Sequence, residues 1–293
     1  MEVIDKQLKE FRSGARFGGE VAPFTDSGKP SREAVAALAE AMKTEGEAVR
    51  EQIARLLAEL GRQTDPLHEA GGNLIRNRQI ISILAGQGLA NQSPTRDFCL
   101  DQLQMAVPPH FLKEQGAVLA RDLKERPDAT TLLVVAKGKL SEAAPVVDSL
   151  YESREWREIE ETKIARAALG DEVLEKEYIE AFLKTTDPEE KAERAEILGR
   201  IGTEGALGAL AGEMRTDLVV EMPNVFLRSV RVDIMAALSY NFPDKPILYD
   251  NAVVDDSGYA AVEKFCEEEF GIVWKKERPE FLTIMGFPSE GPE

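Results

Sequence analysis

Residues 198–214, LGRIGTEGALGALAGEM, carry glycine at 199, 202, 205, 208 and 212. Glycine this dense can free backbone N–H groups to cradle a phosphate, or let two helices meet backbone to backbone. A P-loop needs GxxxxGK followed by Ser or Thr, and a dinucleotide loop needs GxGxxG after a strand. Neither spacing is present, and a Glu-, Arg- and Ala-rich stretch precedes Gly199. SGKPS at 27–31 puts Pro30 where a P-loop needs a hydroxyl. The run therefore reads as a helix joint. One helix ends near Gly202 in the left-handed conformation, and the next starts near Glu204. Gly208 and Gly212 are four apart and are expected to face a neighbouring helix at short distance. Each costs about 1 kcal/mol of helix propensity relative to Ala, which close packing would offset.

Other residues capable of chemistry are sparse. The only histidines are His68 and His110. One His-Glu pair, His68–Glu69, cannot supply the several pairs an iron-containing helical hydroxylase uses, and no spacing suggests a zinc site. No GxSxG elbow accompanies a serine. Cys99 and Cys266 belong to no CxxC or CxxH pattern and read as reduced thiols. Carboxylates abound, 53 in all, so neighbouring acids say little about acid–base catalysis. No catalytic residue, metal or cofactor is expected.

Two features remain as partner-binding candidates. The first is a set of arginines in one register. Arg50, Ile53 and Leu57 stand at i, i+3 and i+7, as do Arg96, Cys99 and Leu103, then Arg194, Ile197 and Ile201, then Arg231, Ile234 and Leu238. Weaker copies begin at Asp128 and Thr162. Arg228 shares the face of Arg231. The arginines are expected to hydrogen-bond the turns or acids of adjacent repeats. The competing role is a basic stripe for an acidic ligand. The second feature is the acidic stretch 250–270, where Asp250, Asp255, Asp256, Glu263, Glu267, Glu268 and Glu269 face one base, Lys264. It is a solvated face or a docking site for a basic protein. Trp274 beside it is a candidate aromatic anchor.

The elements that must position these residues are helices. Ser31 is an N-cap, with Val35, Leu38 and Met42 following at helical spacing. Gly61 sits where a C-cap belongs. Helical pairs are predicted at 31–43 with 47–60, 73–85 with 94–106, 110–125 with 128–138, 141–152 with 155–169, 172–185 with 188–201, and 204–215 with 224–240. Their recurrence points to an α-solenoid. A short helix over 2–12 and a Gly/Pro/Ser-rich loop over 13–30 precede them. A long acidic loop over 241–258 follows. FGIVW (270–274) and EFLTIMGF (280–287) read as a β-hairpin that caps the last repeat.

KAERAEILGRIGTEGALGALAGEM, residues 191–214, resembles the HEAT-repeat superfamily, particularly its phycobilisome-lyase-type HEAT-like, armadillo-like form. Arg194, Leu198, Gly199, Ile201, Gly202, Glu204, Ala206, Leu207 and Leu210 carry the resemblance, with partial matches in REQIARLLAELG and VRVDIMAAL. The resemblance implies an all-α fold, an α-α superhelix of about six helical hairpins, and second helices lining a concave side. It does not imply a reaction. The inter-helix turns here hold Thr-Glu where the family often has Asp.

Composition agrees with a helical protein. The chain has 293 residues, 43 % hydrophobic and 6 % aromatic, with a net charge of −17. That charge repels nucleic acid and anionic membranes and favours a basic partner. It also argues against a HEAT-like DNA glycosylase. No apolar run approaches the ~20 residues a membrane helix needs, and no secretory signal opens the chain, so a cytoplasmic protein is expected. The sequence therefore predicts an N-terminal helix and loop over 1–30, a solenoid over 31–240 and an acidic loop and cap over 241–293. The expected function is a non-enzymatic protein-binding scaffold or adaptor. An inhibitor or immunity-type protein neutralising a basic partner is the alternative, and a bilin-lyase-type enzyme, suggested only by the repeat family, is a third.

Overall fold

The computed structural model describes residues 2–68, 73–222, 226–248 and 256–277. The chain divides into two compact units, Met1–Thr162 and Lys163–Glu293. The described residues are mostly helical, with two small antiparallel strand pairs. No helix among them is long and apolar enough to cross a membrane.

In the first unit, α1 (Glu2–Arg12) buries Ile4, Leu8 and Phe11, the residues its periodicity puts on one face. The expected loop at 13–30 contains two short strands, β1 (Thr25–Asp26) and β2 (Lys29–Pro30), paired antiparallel. Ser31 then caps α2 (Arg32–Thr44), its hydroxyl accepting from the Ala34 N–H. α3 (Glu47–Gln63) completes the first predicted pair. Gly61 does not end it. It lies inside the last turn, where a Cβ would stand 2.8 Å from Ile75 Cγ2, and Thr64 is the C-cap.

α4 (Arg78–Ile83) runs into a π-helical turn, Leu84–Gly88, and α5 (Thr95–Ala106) follows. The helix expected over 110–125 is split into α6 (Pro109–Leu112) and α7 (Gly116–Glu125), joined by a 3-10 turn. α8 (Ala129–Gly138) begins at Asp128, which caps it through the Thr131 N–H. α9 (Ala144–Glu152) and α10 (Arg154–Arg157) come next. The unit boundary falls within α11 (Glu160–Ala168).

In the second unit, α12 (Glu172–Lys184) and α13 (Pro188–Ile201) form the expected pair, capped by Asp171 and Asp187. α13 ends at Gly202 with φ +62°, and α14 (Glu204–Gly212) starts two residues later, as the sequence predicts. The glycines that touch a neighbour are not the expected ones. A Cβ on Gly199 would lie 2.7 Å from Ala237 Cβ, and one on Gly205 would lie 2.5 Å from Glu175 Oε1. Gly208 and Gly212 have nothing within 4 Å of a Cβ position. Close approach is therefore at the end of α13 and the start of α14, and the later glycines face open space.

The helix expected over 224–240 begins at Val230 as α15 (Val230–Asn241). Before it stands a hairpin, β3 (Val219–Met222) with β4 (Phe226–Ser229), in the register Val219↔Ser229 and Met222↔Phe226. Val219, Val220 and Phe226 favour extended backbone, and Ser229 caps α15 through the Arg231 N–H. The last described helix is α16 (Asp256–Phe270), which starts inside the loop expected over 241–258 and ends on Phe270, the first residue of the expected FGIVW strand. α16 buries Tyr259, Val262, Phe265 and Cys266. Phe242, Phe265 and Phe270 meet edge to face, with ring centres 5.2 to 6.0 Å apart. Residues 271–277 form no strand, and 280–287 lie outside the described residues.

Candidate functional site

The register arginines are engaged within the fold. Arg50, in the first turn of α3, donates Nη1 to Asn91 Oδ1 at 2.5 Å and Nη2 to the Lys43 carbonyl at 3.3 Å. Lys43 is in the last turn of α2, so Arg50 satisfies a carbonyl that the helix end leaves free. Arg96 is buried among Asp122, Asp128 and Thr131. Its Nη2 lies 2.7 Å from Asp122 Oδ2 and 3.3 Å from the Arg126 carbonyl. Burial works against its charge, and the Asp122 and Asp128 carboxylates outweigh it, holding the guanidinium above its ordinary range.

Arg194 behaves differently. It reaches back to Glu190 Oε1 at 2.5 Å on the helix surface. The place equivalent to Arg50 belongs instead to Lys191, also the fourth residue of its helix. Lys191 is 1 % exposed, donates to the Phe182 carbonyl at 2.8 Å and pairs with Glu213 at 3.1 Å. Arg231 is buried against Ser229 Oγ, 3.0 Å away, and the ring of Tyr259. Arg228 pairs with Asp233 at 3.2 Å. Burial holds the Asp233 carboxyl above its ordinary range, and Arg228 offsets only part of this.

A second cation missed by the sequence reading is Lys137, 5 % exposed, whose Nζ donates to the Gln104 carbonyl in the last turn of α5. Burial drives its ammonium down to about 7. Cys99 and Cys266 are free and buried, and burial pushes both thiols up to about 12. Thiols held that far from ionisation are poor nucleophiles.

Beside the Arg96 network lies an open cleft of about 380 Å³, lined by Gly86, Leu89, Val118, Arg121, Glu125 and Arg126 among others. Arg126 is fixed there by the Asn91 carbonyl at 2.8 Å, the Leu89 carbonyl and Asp122 Oδ1 at 2.6 Å. The π-helical turn forms one wall. Among the described residues, no three His, Cys, Asp or Glu side chains are placed to hold a metal ion.

The acidic stretch resolves into residues with different environments. Asp250 and Asp255 lie outside the described residues, and Asp256 opens α16. Glu263 is 3 % exposed and holds Arg215 through two bonds, at 2.8 and 3.1 Å. Glu267, Glu268 and Glu269 are exposed together on the last turn. Glu268 reaches Lys264 at 3.6 Å, both side chains largely in solvent. Trp274 is half-buried rather than free. Its indole N–H donates to Glu267 Oε1 at 2.5 Å, and its ring lies 4.6 Å from the Arg215 guanidinium carbon.

No protein-family model, no curated protein and no solved structure matches the chain.

Proposed function

We propose that this chain is a non-enzymatic protein-binding scaffold whose last described helix receives a basic partner. The observation that carries this reading is the contrast within one helix. Glu263 is consumed by Arg215, while Glu267, Glu268 and Glu269 stand exposed one turn further on. In a chain of net charge −17, such a cluster would speed the approach of a basic surface. The four register arginines each have partners within the fold, which weakens the alternative of a basic stripe for an acidic ligand.

The HEAT-like character of the helical pairs belongs to the same proposal. Its support is the shared role of Arg50 and Lys191, each opening the second helix of a pair and each bonded to a carbonyl near the end of the first. The test is capture of binding partners by the wild-type chain and by the Glu267→Lys, Glu268→Lys, Glu269→Lys triple variant. A basic protein held by the wild type at low salt, released at high salt and lost by the variant is the expected outcome. Equal capture by both chains, or capture that ignores salt, overturns the reading.

A further inference from the structure

Gly271 follows the last residue of α16, Phe270, and adopts φ +64° while its N–H bonds the Glu267 carbonyl at 3.0 Å. The left-handed residue turns the chain back along the helix it has just left. Residues 272–277 then form neither helix nor strand, with a bend at Lys276. Two contacts bring this segment back. Trp274 donates to Glu267 Oε1, seven residues earlier, and the Lys276 carbonyl accepts from Arg215 Nη1 at 2.8 Å. Arg215 is itself fixed by the buried Glu263, and the indole of Trp274 lies on its guanidinium. Arg215 therefore links the helix on one side to the returning segment on the other.

We infer that residues 271–277 form a strap that partly shuts the acidic face of α16, and that a basic partner opens it. The inference rests on the reading of that face as a docking site, and it assigns the site a regulation. Closed, the strap holds one of the three exposed carboxylates, Glu267, by the indole N–H. A partner's cation must displace this neutral donor before it gains the full face. Binding through an open state that is only fractionally populated weakens the apparent affinity by that fraction. The latch is built to yield. Its contacts lie at the surface, Val273 is 82 % exposed, and no apolar side chain of the strap is buried. Glu263 and Arg215 remain paired in both states, so opening need not disturb the interior.

The probe is a labelled octa-arginine peptide, measured by fluorescence anisotropy with the full chain. Trp274→Ala is expected to tighten binding about tenfold, as for a strap closed about nine-tenths of the time. Trp274→Phe keeps a ring for Arg215 but removes the donor to Glu267, and is expected to fall between. In a Trp156→Phe chain, where Trp274 is the only tryptophan, adding the peptide should raise the acrylamide quenching of Trp274. Unchanged or weaker binding by both Trp274 variants, or unchanged quenching on saturation, overturns the strap. The Glu267→Lys, Glu268→Lys, Glu269→Lys chain separates the two claims. If it loses the peptide while the Trp274 variants match wild type, the docking face stands and the strap fails. If it binds as wild type does, both fail.

Discussion

Lys191 donates its ammonium to the carbonyl of Phe182 at 2.8 Å, and the same ammonium lies 4.1 Å from the centre of the Phe182 ring. One side chain of α13 thus closes the last turn of α12 twice, by a hydrogen bond and by a cation–π contact. Glu213 balances the charge from the far side at 3.1 Å. Lys191→Met keeps the length and removes the donor. It leaves a helix-end carbonyl unbonded and Glu213 without its cation, which should cost about 2–4 kcal/mol. Urea unfolding of the variant measures this. A loss within error of zero would show that Lys191 merely fills space.

The Arg96 network makes a larger claim of the same kind. Asp122 is 4 % exposed and shared between Arg96 and Arg126, and Asp128 caps α8 while pairing with Arg96. Arg96→Met leaves the buried Asp122 with Arg126 alone and takes from Asp128 its Arg96 partner, at an expected cost of about 3–5 kcal/mol. Arg96→Lys should recover only part of it, because a lysine cannot reach Asp122, Asp128, Thr131 and the Arg126 carbonyl from one planar group. The midpoint order wild type, Arg96→Lys, Arg96→Met in urea is the check.

Lys137 predicts a pH dependence whose sign follows from burial. Its ammonium is driven down to about 7 in the folded chain, against about 10.4 for an exposed lysine. Between those values the unfolded chain binds more protons, so stability rises with pH across that window. The burial penalty is complete below the folded value and gone above the unfolded one. The Lys137 contribution to the slope approaches about 1.4 kcal/mol per pH unit. In Lys137→Met that contribution is absent. Unfolding of both chains from pH 6 to pH 10 (a range set by these about 7 and about 10.4 limits) should show the wild type gaining on the variant as pH rises.

These residues also show what the sequence made legible. The start of α2 and the α13–α14 joint were readable because caps are local: Ser31 and Gly202 act within a few residues of themselves. The register was misread where identity stood in for chemistry. Matching arginine to arginine put Arg194 over Arg50. Matching the helix ends instead, Leu57, Leu60 and Gly61 against Leu198, Ile201 and Gly202, puts Lys191 there, a different residue with the same bond to make. α16 carried a signal of its own. Tyr259, Val262 and Cys266 stand at i, i+3 and i+7 and are buried, yet the sequence reading takes from the stretch only its acidic charge and assigns 259–269 no element. The β3–β4 hairpin was hidden because four-residue strands beside a helix start give too few alternations to separate the two periods. The strap was not legible at all, since Arg215 and Lys276 are 61 positions apart.

The glycine run gives a test that separates two neighbours in the same stretch. Gly199 packs against α15, where an added Cβ would stand 2.7 Å from Ala237 Cβ and 2.9 Å from Ala237 Cα. Asn241 also donates to the Gly199 carbonyl at 2.7 Å, so α13 cannot back away without losing that bond. Backbone cannot rotate aside as a flexible side chain can, and Gly199→Ala should cost about 2 kcal/mol or more. Gly208 sits within α14 with open space around its Cβ position. There the same substitution meets no neighbour and removes glycine's unfolded-chain entropy, a gain of about 0.5–1 kcal/mol. Thermal unfolding of the two variants should move in opposite directions. Destabilisation by Gly208→Ala as large as by Gly199→Ala would return Gly208 to the helix-facing role that its spacing first suggested.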